Sequence, residues 1–332
     1  MKAMILGLLG ALMATGAQAA SKSFQDWTVV CDNTRDCSAF GFSEDSFEDR
    51  PFLHVRRSGE AKAAPVIRLV LVGEVDTPTP WAVKVDGEPV PGVAPKAEGD
   101  ADVVLTPAQA AALLAAIRNG QKLSLAPGRG DILLTGVSAA LRWMDDQQRR
   151  AGTVTALVAK GPRPASAVPA PPPVPLVRPG PAVSQAGLPD KLPPGMRAQL
   201  GEDCDAQERR DFTPIIARLS PGVILFGELC YLGAYNEIYA FMLADDQGGH
   251  IRQAQIPNLD GSYTNLLMNV DFDVETQTLS NFEKGRGIAD CGGANAWIWD
   301  GEAFQISDQT EMPACRGLSA EEWPVLFRSR RK

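Results

Sequence analysis

The chain has little histidine and no excess of positive charge. Two of its 332 residues are His, and the formal net charge is −8 at pH 7. Two imidazoles leave few groups to serve as the base of a serine or cysteine hydrolase. An acidic chain also binds poorly to the phosphate backbone of nucleic acids. We therefore expect no nucleic-acid partner, and we expect a hydrolase only as an alternative.

Long apolar runs are also missing, apart from one at the start. The chain opens MKAMILGLLGALMATGAQAA, with Lys2, an apolar run over residues 3–14 and the small-residue triplet 17–19. This pattern is typical of a secretory signal peptide cleaved after Ala19. The run is shorter than the roughly 20 residues that cross a bilayer. The sequence predicts a signal peptide over 1–19, a periplasmic or secreted mature protein, and no transmembrane segment.

The first cysteine, Cys31, lies far from that cleavage point, so we expect no lipid anchor. The six cysteines are an even number, and none of them forms a C-x-x-C motif of the redox or zinc type. Such a set in an oxidising compartment indicates disulfides. Fifteen connectivities are possible, and we predict the sequential one because each pair then lies within one folding unit. The predicted pairs are Cys31 with Cys37, Cys204 with Cys230, and Cys291 with Cys315.

Proline is concentrated in one segment of the chain. Residues 161–194 hold 12 of the 26 prolines, a composition that favours an extended spacer over a packed core. The length of the chain agrees with two domains. We predict an N-terminal domain over 20–160, a proline-rich linker over 161–194 and a C-terminal domain over 195–332. The expected fold class is α+β, mostly antiparallel β, with two domains joined by the linker.

Negative charge is concentrated in the second of these regions. Residues 20–160 carry 16 Lys and Arg against 18 Asp and Glu, a net of −2, whereas residues 195–332 carry 12 against 21, a net of −9. An acidic surface attracts a basic partner or a divalent cation. As a calcium loop, however, the acidic stretch from Asp271 fails, because Thr276 stands where the loop requires glycine. No metal ligand set and no cofactor are predicted.

The N-terminal region reads as short strands with two helices. Alternation in FQDWTVVCDNTRDCSAFGF predicts a hairpin that the first cysteine pair closes, and further strands are predicted at Phe52–Arg57, 66–72 and 81–85. The first helix is predicted to begin after the N-cap Thr106 and to bury Ala110, Leu113, Leu114 and Ile117. The second is predicted to bury Val137, Ala140, Leu141 and Met144, with Asp145/Arg149 and Asp146/Arg150 as exposed ion pairs.

His54 lies in the strand FLHVRR, where alternation places it on the same face as Phe52 and Arg56. We interpret it as a half-buried or surface histidine of a strand. The F-x-D-W-x-V-x-C-x5-C hairpin, the alanine-rich helix and the GVSAALRWM helix together resemble the invasion-associated locus B proteins. These are secreted bacterial proteins of poorly defined biochemistry, and the resemblance covers roughly the first half of the chain.

The C-terminal region reads as consecutive antiparallel strands, in one sheet or a sandwich. The segment AWIWDGEAFQISD predicts a hairpin in which Asp300 and Gly301 form a two-residue turn, so that Trp297 faces Phe304. Such pairing ordinarily stabilises a sheet. The alternative interpretation makes Trp297 and Trp299 a platform on which a ligand stacks.

The stretch FEKGRGIADCGG, Phe282 to Gly293, invites three interpretations. As a phosphate loop it lacks the G-K-[ST] end, and as a dinucleotide loop it has Asp290 at the third glycine position. As a nucleophile, Cys291 has a single histidine, His250, in the same region, and Cys315 offers a simpler partner. The sequence predicts a glycine-rich loop closed by a disulfide. Its cations Lys284 and Arg286 are either salt-bridge partners or the contact point for an anionic ligand.

The stretches LLMNVDFDVETQTLSNFEKGRGIADCGG, WIWDGEAFQIS and EMPACRG complete a pattern that covers the whole mature chain. Together with the N-terminal hairpin and the proline-rich middle, they closely resemble the bacterial domain-of-unknown-function family numbered 1176. That resemblance implies an envelope location and no assigned reaction. The C-terminal half alone is also similar, more loosely, to periplasmic lysozyme-inhibitor scaffolds.

These observations predict a non-enzymatic binding protein of the cell envelope, stabilised by disulfides, with no catalytic residues. Its partner is expected to be a protein or another envelope component, and the acidic C-terminal region favours a basic one. Inhibition of a basic lysozyme is the first alternative. A hydrolase that acts on envelope polymers, with His250 as its best base, is the second.

Overall fold

A computed structural model describes residues 19–44, 51–71, 81–95, 102–126, 130–200, 204 and 213–332. Antiparallel strands dominate this part of the chain, and it contains two α-helices. The expectation of a mostly antiparallel β fold is therefore confirmed. The predicted signal peptide, apart from Ala19, lies outside the described residues. Neither described helix combines the length and the apolarity that a membrane span requires.

The N-terminal half contains a six-stranded antiparallel sheet and a smaller sheet of four strands. The large sheet runs in the order β1 (Ala20–Phe24), β2 (Trp27–Cys31), β3 (Cys37–Phe42), β4 (Phe52–Arg57), β5 (Val66–Val70) and β8 (Asp102–Val104). The small sheet runs in the order β10 (Asp131–Leu133), β9 (Lys122–Ser124), β6 (Lys84–Val85) and β7 (Glu88–Pro89). The strands predicted at 66–72 and 81–85 are thus shorter, while Phe52–Arg57 has its predicted bounds.

The predicted helices are α1 (Pro107–Ile117) and α2 (Val137–Gln147). Thr106 caps α1 in a capping box with Gln109, which satisfies backbone donors that the helix leaves unpaired. Both helices bury the apolar residues expected from their periodicity. Those side chains pack with one face of the large sheet in the main core of this half.

The expected exposed ion pairs of α2 are wrong at Asp145 and Arg150, because both side chains are buried. The Asp145 carboxylate accepts hydrogen bonds from the backbone N–H groups of Leu157, Val158 and Ala159, and it lies 3.8 Å from Arg57. Arg150 donates to backbone carbonyl groups instead. These charges tie α2 to neighbouring loops.

The C-terminal half is a sandwich of two antiparallel sheets. One sheet runs in the order β12 (Ile215–Ser220), β13 (Val223–Leu232), β14 (Glu237–Ala244) and β15 (Arg252–Gln253), with β18 (Leu266–Met268) also paired to β14. The other runs in the order β19 (Val270–Asp273), β20 (Thr278–Lys284), β21 (Gly292–Trp299), β22 (Phe304–Met312) and β23 (Val325–Arg328). Two short pairs are β16 (Ile256–Pro257) with β17 (Tyr263–Thr264), and β11 (Leu176–Val177) with β24 (Arg330–Arg331). Three single-turn 3₁₀ helices cover Ala165–Ala167, Arg197–Gln199 and Ala320–Glu322.

The tryptophan hairpin differs from the predicted register. Trp299, rather than Trp297, pairs with Phe304, and Trp297 pairs with Ile306. The turn spans four residues because the Asp300 carboxylate accepts from the N–H groups of Glu302 and Ala303, an arrangement that a short acidic side chain allows. The prediction of a two-residue turn from the Asp-Gly dipeptide is therefore wrong.

The two halves meet along a contact that we call the seam. Alternation places Phe40, Phe42 and Phe52 on the face of the large sheet opposite the helices, and this face packs against Met312 and Trp323. The predicted grouping of His54 with Phe52 and Arg56 is confirmed, since all three lie on this face. The seam therefore has an apolar end and a polar end.

The proline-rich segment makes defined contacts with its neighbours. Val168 and Val177 are buried, and β11 pairs in parallel with β24. The Gly180 N–H donates to the carbonyl of Trp299 at 2.8 Å. The Ala170 carbonyl accepts from Arg35 in the N-terminal half. The division of the chain into two domains and a linker stays a prediction.

Candidate binding surface at the Lys284–Cys291 loop

The glycine-rich stretch connects β20 to β21 and is held at several points. The Gly285 N–H donates to the carbonyl of Cys291 at 2.8 Å, and Cys291 is bonded to Cys315. Gly292 has φ of 135°, and a Cβ there would lie 1.8 Å from the Glu283 carbonyl oxygen. Only glycine fits such a backbone. The conformation of the loop is therefore imposed by its surroundings.

Arg286 is a salt-bridge partner in this loop. Its Nε and Nη2 each lie 2.5 Å from a carboxylate oxygen of Asp290, which also accepts from the Gly317 N–H at 2.6 Å. Burial raises the pKa of Asp290, but the hydrogen bonds from Arg286 and Gly317 outweigh burial and hold that pKa below its ordinary value. The first of the two interpretations of Arg286 thus fits its geometry.

Lys284 differs from Arg286. Its backbone N–H and carbonyl both bond to the Asn236 side chain, which fixes where the lysine begins. The side chain is half-buried. No ion pair joins its ammonium to another described residue. Lys284 therefore stays a candidate for contact with an anionic ligand.

The tryptophans are placed in the core instead of at the surface. Trp297 is 1% exposed and Trp299 is 3% exposed, and both belong to the apolar core of the sandwich. Their indole N–H groups donate to the Pro257 carbonyl at 2.8 Å and to the Ser220 hydroxyl at 2.9 Å. A ring buried on both faces cannot stack on a ligand. Their placement supports the stabilising interpretation.

Exposed aromatic residues lie next to the loop, at the turn between β13 and β14. Tyr231, near the end of β13, is 54% exposed and Tyr235, in the turn, is 43% exposed, while Ile288 in the middle of the loop is 53% exposed. Tyr235 borders Gly287, since a Cβ on that glycine would lie 3.6 Å from the tyrosine ring. We call these three residues, with Lys284, the tyrosine tip. Sequence reasoning missed the tyrosines because nothing local distinguishes an exposed strand end from a buried one.

Asparagine side chains fix this arrangement. The Asn269 side-chain amide donates to Asn236 at 2.7 Å and to the Phe282 carbonyl at 2.7 Å, and its oxygen accepts from the Glu237 N–H. These bonds link β14, β19 and β20 at one point. Networks of satisfied polar groups hold their neighbours in one arrangement. The tyrosine tip therefore stands on a fixed support.

The chemical groups that suggested catalysis are placed elsewhere or are already bonded. The Nδ1 of His250 lies 2.7 Å from the Asp245 carboxylate, in a turn where the histidine is 92% exposed. All six cysteines are paired in the sequential pattern. The ligand atoms of Asp290, Cys291 and Cys315 lie within 4.8 Å of one another. The two sulfurs are bonded to each other, however, and a metal needs thiolates.

Comparison with known proteins gives the family. A family described as "Protein of unknown function (DUF1176)" matches residues 21–330. The chain belongs to the DUF1176 family. An Escherichia coli K12 relative, "Uncharacterized protein YpfG", is 30% identical over 332 residues, which cover 95% of this chain and 94% of the relative. No solved structure matches. The DUF1176 assignment confirms the resemblance to family 1176, while the resemblances to locus B proteins and lysozyme inhibitors stay predictions.

Proposed function

We propose that this DUF1176 protein is a secreted, non-enzymatic binding protein of the cell envelope that recognises a partner protein through the tyrosine tip. The observation that carries the proposal is the exposure of Tyr231, Tyr235 and Ile288 beside Lys284 on a fixed support. Binding energy at protein interfaces is concentrated in a few residues, among which tyrosine is enriched. Adjacent exposed apolar side chains also mark interaction sites.

The rigid support of the tyrosine tip favours its interpretation as a binding site. The disulfide Cys291–Cys315 and the Asn236–Asn269 contact hold the loop and the hairpin before any partner arrives. A preformed site loses less conformational entropy on association. More of the free energy gained from contacts at the tip therefore appears as binding affinity.

The signal-peptide pattern and the three disulfides support a secreted location. The net charge of −9 over residues 195–332 supports a basic partner. Complementary charge raises the rate of association more than the affinity and weakens with salt. We expect the association rate to fall as ionic strength rises.

Site-specific photocrosslinking in the native host tests the proposal. A photoreactive amino acid replaces Tyr235 in one variant and Tyr263 in the control, because Tyr263 is also exposed but lies in β17. The expected result is a discrete crosslinked protein at position 235 and none at 263. Equal crosslinking at the two positions, or none at either, would contradict the proposal.

Affinity measurements on the crosslinked partner complete the test. Tyr235→Ala and Ile288→Ala are each expected to weaken binding about 10- to 30-fold, as for truncation of a well-packed contact. Tyr263→Ala is expected to leave it unchanged. Inhibition assays with a basic lysozyme at low ionic strength separate the first alternative, since inhibition would identify the enzyme itself as the partner.

A further inference from the structure

The polar end of the seam encloses a cleft that the tyrosine tip does not use. Its volume is about 340 Å³, at the small end of the roughly 300 to 1,000 Å³ of ligand sites. The N-terminal wall comes from Asp36 and from β3, β4, β5 and β8. The C-terminal wall comes from Glu321 to Val325 and from Arg328. Both halves of the chain are therefore needed to build it.

Two polar side chains on the sheet wall face the cleft, and neither has a partner in the described part of the chain. Ser38 and Arg56 are direct cross-strand partners in β3 and β4, so their Cβ atoms lie about 4.5 to 5.5 Å apart on one face. Neither side chain has a hydrogen bond or ion pair with another described residue. A guanidinium beside a hydroxyl presents several N–H donors and one O–H donor to the same point. The two oxygens of a carboxylate can accept hydrogen bonds from such a set of donors.

The other arginines of the cleft are already neutralised. Arg68 binds Asp102 and Glu322, and Arg328 lies 2.5 Å from Asp32 and 3.6 Å from Asp36. Arg56 is exposed, and among the described residues no acid forms an ion pair with it. Three acids line the cleft. Asp36 is paired with Arg328 and Glu322 with Arg68. Glu321 is exposed on the opposite wall. An anion that enters is therefore directed to the Arg56 side, away from Glu321.

Apolar side chains flank the donors. Val66 is the cross-strand partner of Arg56, Val104 is that of Arg68, and both valines are exposed. Trp323 lines the opposite wall. Exposed valines in a strand beside a cationic group would bury apolar area against an organic body. A ligand that combines a negative group with a short apolar body matches this wall.

From these contacts we infer that the seam cleft binds a small organic anion, a carboxylate with a short apolar body, whose negative group is held by Arg56 and Ser38 between the two halves of the chain. The cleft and the tyrosine tip share no residues, and they would recognise different kinds of ligand. Loss of one site leaves the other intact.

Histidine-selective NMR gives a direct readout because the chain has two histidines. The His54 ring stacks on Phe40 with 4.2 Å between ring centroids and lines the cleft, whereas His250 lies in an exposed turn. With ¹⁵N-labelled histidine, the His250→Asn variant assigns the two ring signals. Titration of the whole mature protein with hexanoate is expected to shift the His54 signals saturably and to leave those of His250 unmoved.

Matched probes and variants make the result decisive. Acetate lacks the apolar body and hexan-1-ol lacks the charge, so each is expected to bind at least about 10-fold more weakly than hexanoate. Arg56→Gln is expected to weaken hexanoate about 10-fold or more, and Ser38→Ala by a smaller factor. Arg252→Gln, an exposed arginine in β15, serves as the control and is expected to bind like the parent.

Three results would overturn the inference. One is the lack of a saturable His54 shift at up to roughly 50 mM hexanoate, well beyond a millimolar dissociation constant. Another is equal weakening by Arg56→Gln and Arg252→Gln. The third is equal affinity for hexanoate and hexan-1-ol, which would reduce the cleft to a non-specific apolar surface. Far-UV circular dichroism of each variant confirms that the fold is retained before binding is compared.

Discussion

Arg68 in β5 and Glu322 in the C-terminal half form a two-point contact across the seam. The Arg68 Nη2 donates to the Glu322 Oε1 at 3.0 Å, and its Nη1 donates to the Oε2. The hydrogen bond with Glu322 is the main reason that the pKa of Arg68 is raised. The same arginine also binds Asp102. One guanidinium therefore links both walls of the cleft.

A double-mutant cycle of Arg68→Gln and Glu322→Gln measures this link. We expect a coupling free energy of about 0.5 to 1.5 kcal/mol in urea unfolding, because the pair is two-pronged but partly open to water. The control pair Lys122 and Asp131, 3.9 Å apart and more exposed, is expected to give a coupling near zero. A zero value for both pairs would show that the seam does not depend on this contact.

Replacement of the buried Asp145 by Asn should be strongly destabilising. The carboxylate accepts from three backbone N–H groups and lies beside Arg57, so an amide removes acceptors and leaves a buried guanidinium uncompensated. We expect a loss of about 3 to 5 kcal/mol in the free energy of unfolding. The neighbouring Asp146 is exposed, and Asp146→Asn is expected to change it by less than about 0.5 kcal/mol. Similar losses in both variants would contradict the assigned role.

His54 should make stability depend on pH. Burial, and next the charge of Arg68, lower the pKa of His54 from 6.5 to about 4. Between these pH values the unfolded chain binds a proton that the folded chain does not. Stability is therefore lost as pH falls from 6.5 toward 4, by on the order of 3 kcal/mol in total.

Urea unfolding at several pH values checks this dependence. His54→Gln is expected to lose less stability than the parent between pH 6.5 and pH 4, and comparison of the two cancels the contribution of other groups. His250→Asn, with its side chain in an exposed turn, is expected to follow the parent. An unchanged slope in His54→Gln would refute the lowered pKa.

Two glycines of the Lys284–Cys291 region should respond differently to alanine. Gly292 combines a positive φ with a backbone oxygen where the Cβ would lie, whereas a Cβ on Gly287 has 3.6 Å to its nearest neighbour. We expect Gly292→Ala to lower the free energy of unfolding by more than about 2 kcal/mol, and Gly287→Ala by less than about 0.5 kcal/mol. Equal melting temperatures for the two variants would contradict the described backbone.

Local patterns were reliable where a single element decides the outcome. The cap at Thr106, the buried faces of both helices and the bounds of Phe52–Arg57 are found as predicted. The prediction that Asp145 is a surface charge is wrong, since its backbone partners at Leu157 to Ala159 come from a loop outside the helix. Helical spacing identifies which residues share a face, but it does not reveal a polar loop that packs on its edge.

In the candidate site, too, local features could be predicted from the sequence and features that depend on distant elements could not. The glycine-rich loop and its cysteine are visible in the sequence, and so are its cations. The tyrosines at the β13–β14 turn were not predicted, because their exposure depends on what surrounds a strand end. The aromatic pattern of Trp297 and Trp299 also agrees with a ligand contact, but both side chains are buried in the core between the two sheets of the sandwich.

Sequence patterns were enough to predict the first hairpin and the two helices, and they indicated the sequential cysteine pairs and the resemblance to family 1176. These depend on contacts between residues close in the chain or on a pattern shared with relatives. The seam, its cleft and the exposed tip became visible in the three-dimensional structure alone. Arg68 and Glu322 are 254 positions apart, and alternation along a strand indicates which side chains share a face without indicating which distant element covers it.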